Sequence, residues 1–143
     1  MKSGAIGVVW ANAEHTEVVL TQRTKPHRGW ALPGGRVELN ESFSEAFLRE
    51  TQDETSVAAR LIRPLQIEEK VFVSPDGEEL PFVLASFIAE ALPGQVTAQT
   101  EEATKEGLKV GVFSIHALPP DEDIDLQDKD KILRALSSSI EHR

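Results

Sequence analysis

Glu50, Asp53 and Glu54 place three carboxylates within one and a half helical turns. In a helix over 43–55, at roughly 100° per residue, Phe43, Ala46 and Phe47 fall on one side. Glu50 and Glu54 project from the middle of that same side and Asp53 from its edge, while Glu45, Arg49 and Gln52 point the other way. The acids therefore face the protein body. On a solvated helix, like charges one turn apart cost only about 0.2–0.5 kcal/mol per pair. Against a protein surface, at an effective dielectric near 20, two carboxylates about 5 Å apart repel by roughly 3 kcal/mol. Such a pair takes up protons or recruits a cation, and oxygen-only ligands suit Mg²⁺ or Mn²⁺. Spacing alone leaves a second reading open, a solvated acidic stripe in a chain with 24 acidic residues.

The helix that must carry these acids has a clear start. Ser42 followed by Glu45 is a capping box, which predicts a helix from just after Ser42 to about Thr55. Upstream, 4–11 reads as a buried strand, Asn12 to Thr16 as a turn, and 17–23 as a second strand. A cationic loop over 24–29 leads to Trp30–Leu32 and a Pro33-Gly34-Gly35 turn. Downstream, 58–73 reads as one long or two short strands, interrupted at Arg63-Pro64. Ser74-Pro75-Asp76-Gly77 is a turn between antiparallel strands. The following strand, 80–90, is so continuously apolar that both its faces should be covered. A polar loop over 97–107, a strand over 108–115 and an amphipathic helix carrying Ile132, Leu133, Leu136 and Ile140 complete the chain. This order predicts an α/β fold, a mixed sheet with a helix on each face.

The chain has 143 residues, which on length is a single domain with one core. Its net charge of −9 argues against a nucleic-acid polymer or an anionic membrane as partner. A polyanionic small molecule would need its charge neutralised, and cations held by acids would do that. Zero cysteines exclude disulfides and thiolate metal sites and fit a cytoplasmic location. The start, with Lys2, a short apolar run and Ala11-Asn12-Ala13, loosely imitates a secretory signal, but the run from Ala5 to Trp10 is too short for one and reads better as a strand.

Around the acids, Gly35 is followed by five residues, Glu41, seven residues, Arg49-Glu50, then Asp53-Glu54 and Val57, preceded by the run Trp30-Ala31-Leu32-Pro33-Gly34. This stretch resembles the signature of the Nudix hydrolase family, in its MutT-like and ADP-ribose pyrophosphatase-like branches. Gly35, Glu41, Arg49, Glu50, Glu54 and Val57 match the pattern. Three positions depart from it: Thr51 where the family has an aliphatic residue, Asp53 where it has a metal-binding Glu, and Ser56 where it has Gly.

The resemblance implies the Nudix α/β/α sandwich and hydrolysis of a phosphoanhydride in a nucleoside diphosphate linked to another moiety. ADP-ribose, nucleotide sugars and (d)NTPs are the substrate classes it suggests, with water attacking phosphorus. Mg²⁺, or Mn²⁺, is the implied cofactor. Carried across, Glu50, Asp53, Glu54 and the Gly35 carbonyl are the expected metal ligands, and Glu50 and Glu54 the catalytic acids. The shorter Asp53 would hold a cation through water. Many members draw a further acid from a later loop. Glu106 is the expected one, since Lys105-Glu106-Gly107 looks like that stretch in the branch that removes oxidised guanine nucleotides; Glu101 and Glu102 compete for the role. Arg49 could pair with Glu41 and hold loop to helix, or be an exposed ion pair worth under about 1 kcal/mol. Arg23, Arg28 and the neighbouring Lys25 and His27 are the local cations that could reach phosphates, alongside Gly34 and Gly35; ordinary surface charge is the other reading. Trp30 could stack on a base or belong to the core. A homodimer is a further expectation, because family members often dimerise. The rival reading is a catalytically weakened nucleotide-binding or regulatory module, motivated by Asp53 and Ser56. A purely structural domain would leave the inward acids unexplained.

Overall fold

The computed structural model describes residues 2–23, 29–102 and 108–141, without side chains at 23 and 138–141. Seven strands form one mixed sheet: β1 (Lys2–Trp10), β2 (Glu17–Arg23), β3 (Gly29–Ala31), β4 (Gly34–Arg36), β5 (Ala59–Val73), β6 (Glu79–Ala91) and β7 (Leu108–Ser114). Two α-helices, α1 (Phe43–Thr55) and α2 (Leu126–Glu141), join them. The path through the sheet runs β3-β2-β1-β6-β5, with β4 paired to β1 and β7 to β2. Central β1 pairs in parallel with β6, from Lys2 opposite Phe82 to Trp10 opposite Glu90.

Alternation along β1 divides the core in two. Ala5 and Val9 point to the α1 face, where they pack with Ala46, Phe47, Ala85, Phe87 and Val110. Val8 and Trp10 point to the α2 face and meet Leu20, Leu32, Ile88, Ile124 and Ile132. Gly7 lies directly beneath α1, where a Cβ would stand 2.6 Å from the Phe47 ring, so only glycine lets the helix seat this close. The sandwich expected from the order of elements is the one observed.

Several local expectations need correction. Residues 34–36 form a short strand rather than only a turn, because their backbone completes the edge of β1 that β2 leaves open: Gly4, Ala5 and Ile6 face Arg36, Gly35 and Gly34. Arg63-Pro64 does not divide β5. The strand absorbs the proline with register shifts between Leu61 and Arg63 and between Pro64 and Gln66. Strand β6 is buried on both faces only in its C-terminal half; residues 79–84 are exposed to half-buried. In α2, Ile132 and Leu136 pack against the core as expected and are joined there by Asp128, Lys131 and Ala135, whereas Leu133 is exposed and the side chain of Ile140 lies outside the described residues. Among the described residues no helix is long and apolar enough to cross a membrane.

Candidate active site

Helix α1 starts at Phe43 because Ser42 Oγ accepts the Glu45 amide at 3.1 Å while Glu45 Oε1 accepts the Ser42 amide at 2.9 Å. Seated by Ala46 and Phe47, the helix brings its next inward positions over the glycine turn. Glu54 is 7% exposed, and its Oε1 accepts the Gly34 amide at 3.0 Å. Glu50 is half-buried, and its Oε2 lies 2.6 Å from where a Gly35 Cβ would stand. A side chain at either glycine would separate helix from turn, since a Cβ on Gly34 would stand 2.2 Å from the Ala5 carbonyl oxygen. Pro33 is held from the other side, its carbonyl accepting the Gly7 amide at 3.2 Å.

Arg49 does not point into solvent. Its guanidinium is half-buried and donates to both oxygens of Glu41, at 2.7 and 3.0 Å, to Glu50 Oε1 at 2.5 Å and to the Arg36 carbonyl at 3.0 Å. Glu38 and Asp53 lie further off, at 3.8 and 3.7 Å. The fork ties the loop at Glu41, the end of β4 and the helix into one unit. Arg49 and the Glu38 amide hold the Glu41 carboxyl below the usual range, and Glu41 and Glu50 hold the guanidinium charged.

Asp53 stands apart. Its side chain is 61% exposed, so the shorter carboxylate lies on the rim of the acid cluster rather than inside it. Among the described residues no three of His, Cys, Asp and Glu come together in metal-holding geometry. As a donor set Glu50 and Glu54 fit a hard divalent cation in kind, two carboxylates against a glycine backbone, and among the described residues they are a pair and not a triad. Glu106 and Arg28, together with Lys25 and His27, lie outside the described residues, as does the side chain of Arg23. Glu101 and Glu102 are exposed in a 3₁₀ turn. Trp30 packs edge-on against Phe113, ring centres 4.8 Å apart, within the core under α2.

Sequence reasoning missed the cations and rings beside the turn. Arg36, next to Gly35, lines a cavity of about 270 Å³ with Lys2, Phe72, Leu80, Pro81 and Phe82. Its signal was the position of Arg36 directly after the glycines; Lys2 drew notice only as a possible leader residue.

A mixed sheet between two helices, one of them aiming carboxylates at a glycine turn, defines an α/β/α sandwich. Residues 1–136 match the NUDIX domain. An uncharacterized Nudix hydrolase of Bacillus subtilis, YvcI, is 33% identical over 89 residues, 60% of this chain and 54% of that protein. The 8-oxo-dGDP phosphatase NUDT18 of Mus musculus is 32% identical over 108 residues, 74% of this chain and 31% of that protein. Among solved structures, a NUDIX hydrolase from Nitrosomonas europaea superposes with a TM-score of 0.69 at 23% identity, covering 99% of this chain and 72% of that one. The chain belongs to the NUDIX domain family. It spans about half the length of YvcI and under a third of NUDT18.

Proposed function

We propose that the protein hydrolyses a phosphoanhydride in a nucleoside diphosphate linked to another group, of the ADP-ribose, nucleotide-sugar or (d)NTP type, by attack of water on phosphorus. The observation that carries this reading is the grip of two inward carboxylates on one glycine turn: Glu54 on the Gly34 amide and Glu50 against Gly35. Family membership supports it, as does the phosphatase name of the mouse relative. Glu50 and Glu54, with the Gly35 carbonyl, Asp53 through water and Glu106, would hold a divalent cation. Bound Mg²⁺ or Mn²⁺ supplies charge neutralisation at the phosphate oxygens and a water of lowered pKa. Arg49 orients Glu50 by a direct hydrogen bond and fixes the loop from Arg36 to Glu41. The cavity beside Arg36 offers Phe72 and Phe82 to a flat apolar group and Lys2 and Arg36 to an anion, which suits the far end of a nucleotide. Arg23 and Arg28 are the further cations proposed for phosphate.

The test is product analysis by chromatography with Mg²⁺ and a panel of ADP-ribose, nucleotide sugars, dinucleoside polyphosphates, and normal and oxidised nucleoside triphosphates, beside Glu54→Gln. Cleavage of one class that Glu54→Gln abolishes supports the reading. Binding without metal-dependent turnover on any member refutes it for these substrates. The second reading, a nucleotide-binding module with weakened turnover, draws on the exposure of Asp53 and the missing triad among the described residues. A large rate gain in Asp53→Glu favours it, and no gain counts against it.

A further inference from the structure

We propose that Asp128, on the helix opposite the acid-bearing one, is a positioning residue that sets the glycine turn of the site. Its kinetic consequence rests on the hydrolase reading above, whereas its effect on the turn does not. The segment from Trp30 to Gly34 is gripped at successive points from both faces of the sheet. From the α2 side, the Trp30 carbonyl accepts the Asp125 amide at 2.9 Å, and the Leu32 amide donates to Asp128 Oδ2 at 3.0 Å. From the α1 side, the Gly34 amide donates to Glu54 at 3.0 Å. Asp128 and Glu54 thus hold amides two residues apart, with Pro33 between them. Proline fixes its own φ and restricts Leu32, so a displacement at the Leu32 amide is carried into Gly34 rather than absorbed.

The chemistry of Asp128 is costly for a residue that only fills space. It is 9% exposed, and burial pushes its carboxyl up to about 6, against the pull of the Leu32 amide. The Asp125 charge pushes the same way as burial, while Lys131 and Lys70 oppose it. Asp125 also accepts the Asp128 amide at 3.0 Å, which locks the carboxylate at the first turn of α2. A buried carboxylate that accepts a loop amide, at the foot of the turn the site is built on, is a strut between the C-terminal helix and that turn.

The test compares the parent with Asp128→Asn and Asp128→Ala. Amide ¹H–¹⁵N spectra are followed from about pH 5 to about pH 8 without metal and with Mg²⁺ alone, beside steady-state kinetics on the substrate class the panel identifies. In the parent, the Leu32, Gly34 and Gly35 amides titrate with a shared midpoint, and that component is absent from Asp128→Asn. Asp128→Ala lowers kcat about tenfold with KM within about twofold, as expected for a misplaced but intact site, and Asp128→Asn, which keeps an acceptor oxygen, recovers most of kcat. Titration of Leu32 alone, with Gly34 and Gly35 the same in parent and Asp128→Asn, overturns the proposal, as does an alanine variant with the parent kcat. If no substrate is cleaved, the hydrolase reading fails and the amide titration still decides the role of Asp128.

Discussion

Replacing Asp128 with Asn should stabilise the protein, and only above a definite pH. The carboxyl is raised from 3.8 to about 6, with burial as the largest cause. A raised carboxyl binds its proton more tightly folded than unfolded. Its contribution to stability is therefore fully present below the unfolded value near 4 and is lost as pH rises to about 6, staying lost above. About two pH units correspond to about 3 kcal/mol as an upper figure. Asn has the shape of the protonated acid and still offers an oxygen to Leu32, so it escapes this loss. For a chain of this size, Asp128→Asn should gain about 1–3 kcal/mol, or about 3–9 °C in Tm, at pH 7.5. The assay is paired thermal and urea unfolding of the parent and variant from about pH 4 to about pH 8, read as the difference between them so that the other acids cancel. The advantage should shrink through pH 6 and vanish near pH 4. A gain that does not change with pH, or a less stable variant at pH 7.5, refutes the reasoning.

Three further outcomes follow from the helix and its ends. Thr51 is fully buried, and its hydroxyl has no hydrogen-bond partner among the described residues; Thr51→Val should raise stability by about 1 kcal/mol in urea unfolding, and a fall would show that the hydroxyl is bonded. Ser56 ends α1 at φ 62°, left-handed backbone that favours glycine, with its amide on the Gln52 carbonyl. Ser56→Gly should therefore stabilise by about 0.5–1 kcal/mol in the same assay, and Ser56→Val should destabilise. Arg49→Lys keeps the charge but loses the fork that spans Glu41, Glu50 and the Arg36 carbonyl; if the site acts as proposed, kcat/KM should fall about tenfold or more, and parent-like kinetics would remove Arg49 from the support of Glu50.

What could be read from the sequence was what local rules decide. The helix from Phe43 to Thr55 was legible because the capping pair Ser42 and Glu45 fixes its start and the Phe43, Ala46, Phe47 periodicity fixes its face. The inward acids followed from that face, and Glu54 is indeed buried. The turn at Ser74 to Gly77 was equally local, Gly77 adopting φ 85°. Long-range pairing hid the rest. Gly34 to Arg36 carries turn residues, and only the open edge of β1 makes it a strand. Nothing local marks Lys131 and Asp128 as buried; Lys131 is 3% exposed because Glu68 of β5, 3.2 Å away, is brought to it by the sheet. The pairing of Arg49 with Glu41 was legible and is present, whereas the further reach of the guanidinium to Glu50 and the Arg36 carbonyl depends on a loop that helical phase does not describe.

The parallel seam between β1 and β6 sets the order in which the molecule can be assembled. Trp10 lies beside Glu90 and Lys2 beside Phe82, so the strand at the centre of both cores waits for a partner about eighty residues later in the chain. The local units, the α1 turn-and-helix and the β5–β6 hairpin, can form early, because their contacts close short loops. Until the hairpin arrives, the apolar face of β1 has no parallel partner, and during synthesis that exposed stretch is the segment most open to pairing with another chain. Docking of the hairpin onto β1 joins the two halves of the sheet, and together with the pairing of β2 with β7 it is the long-range closure that folding has to make.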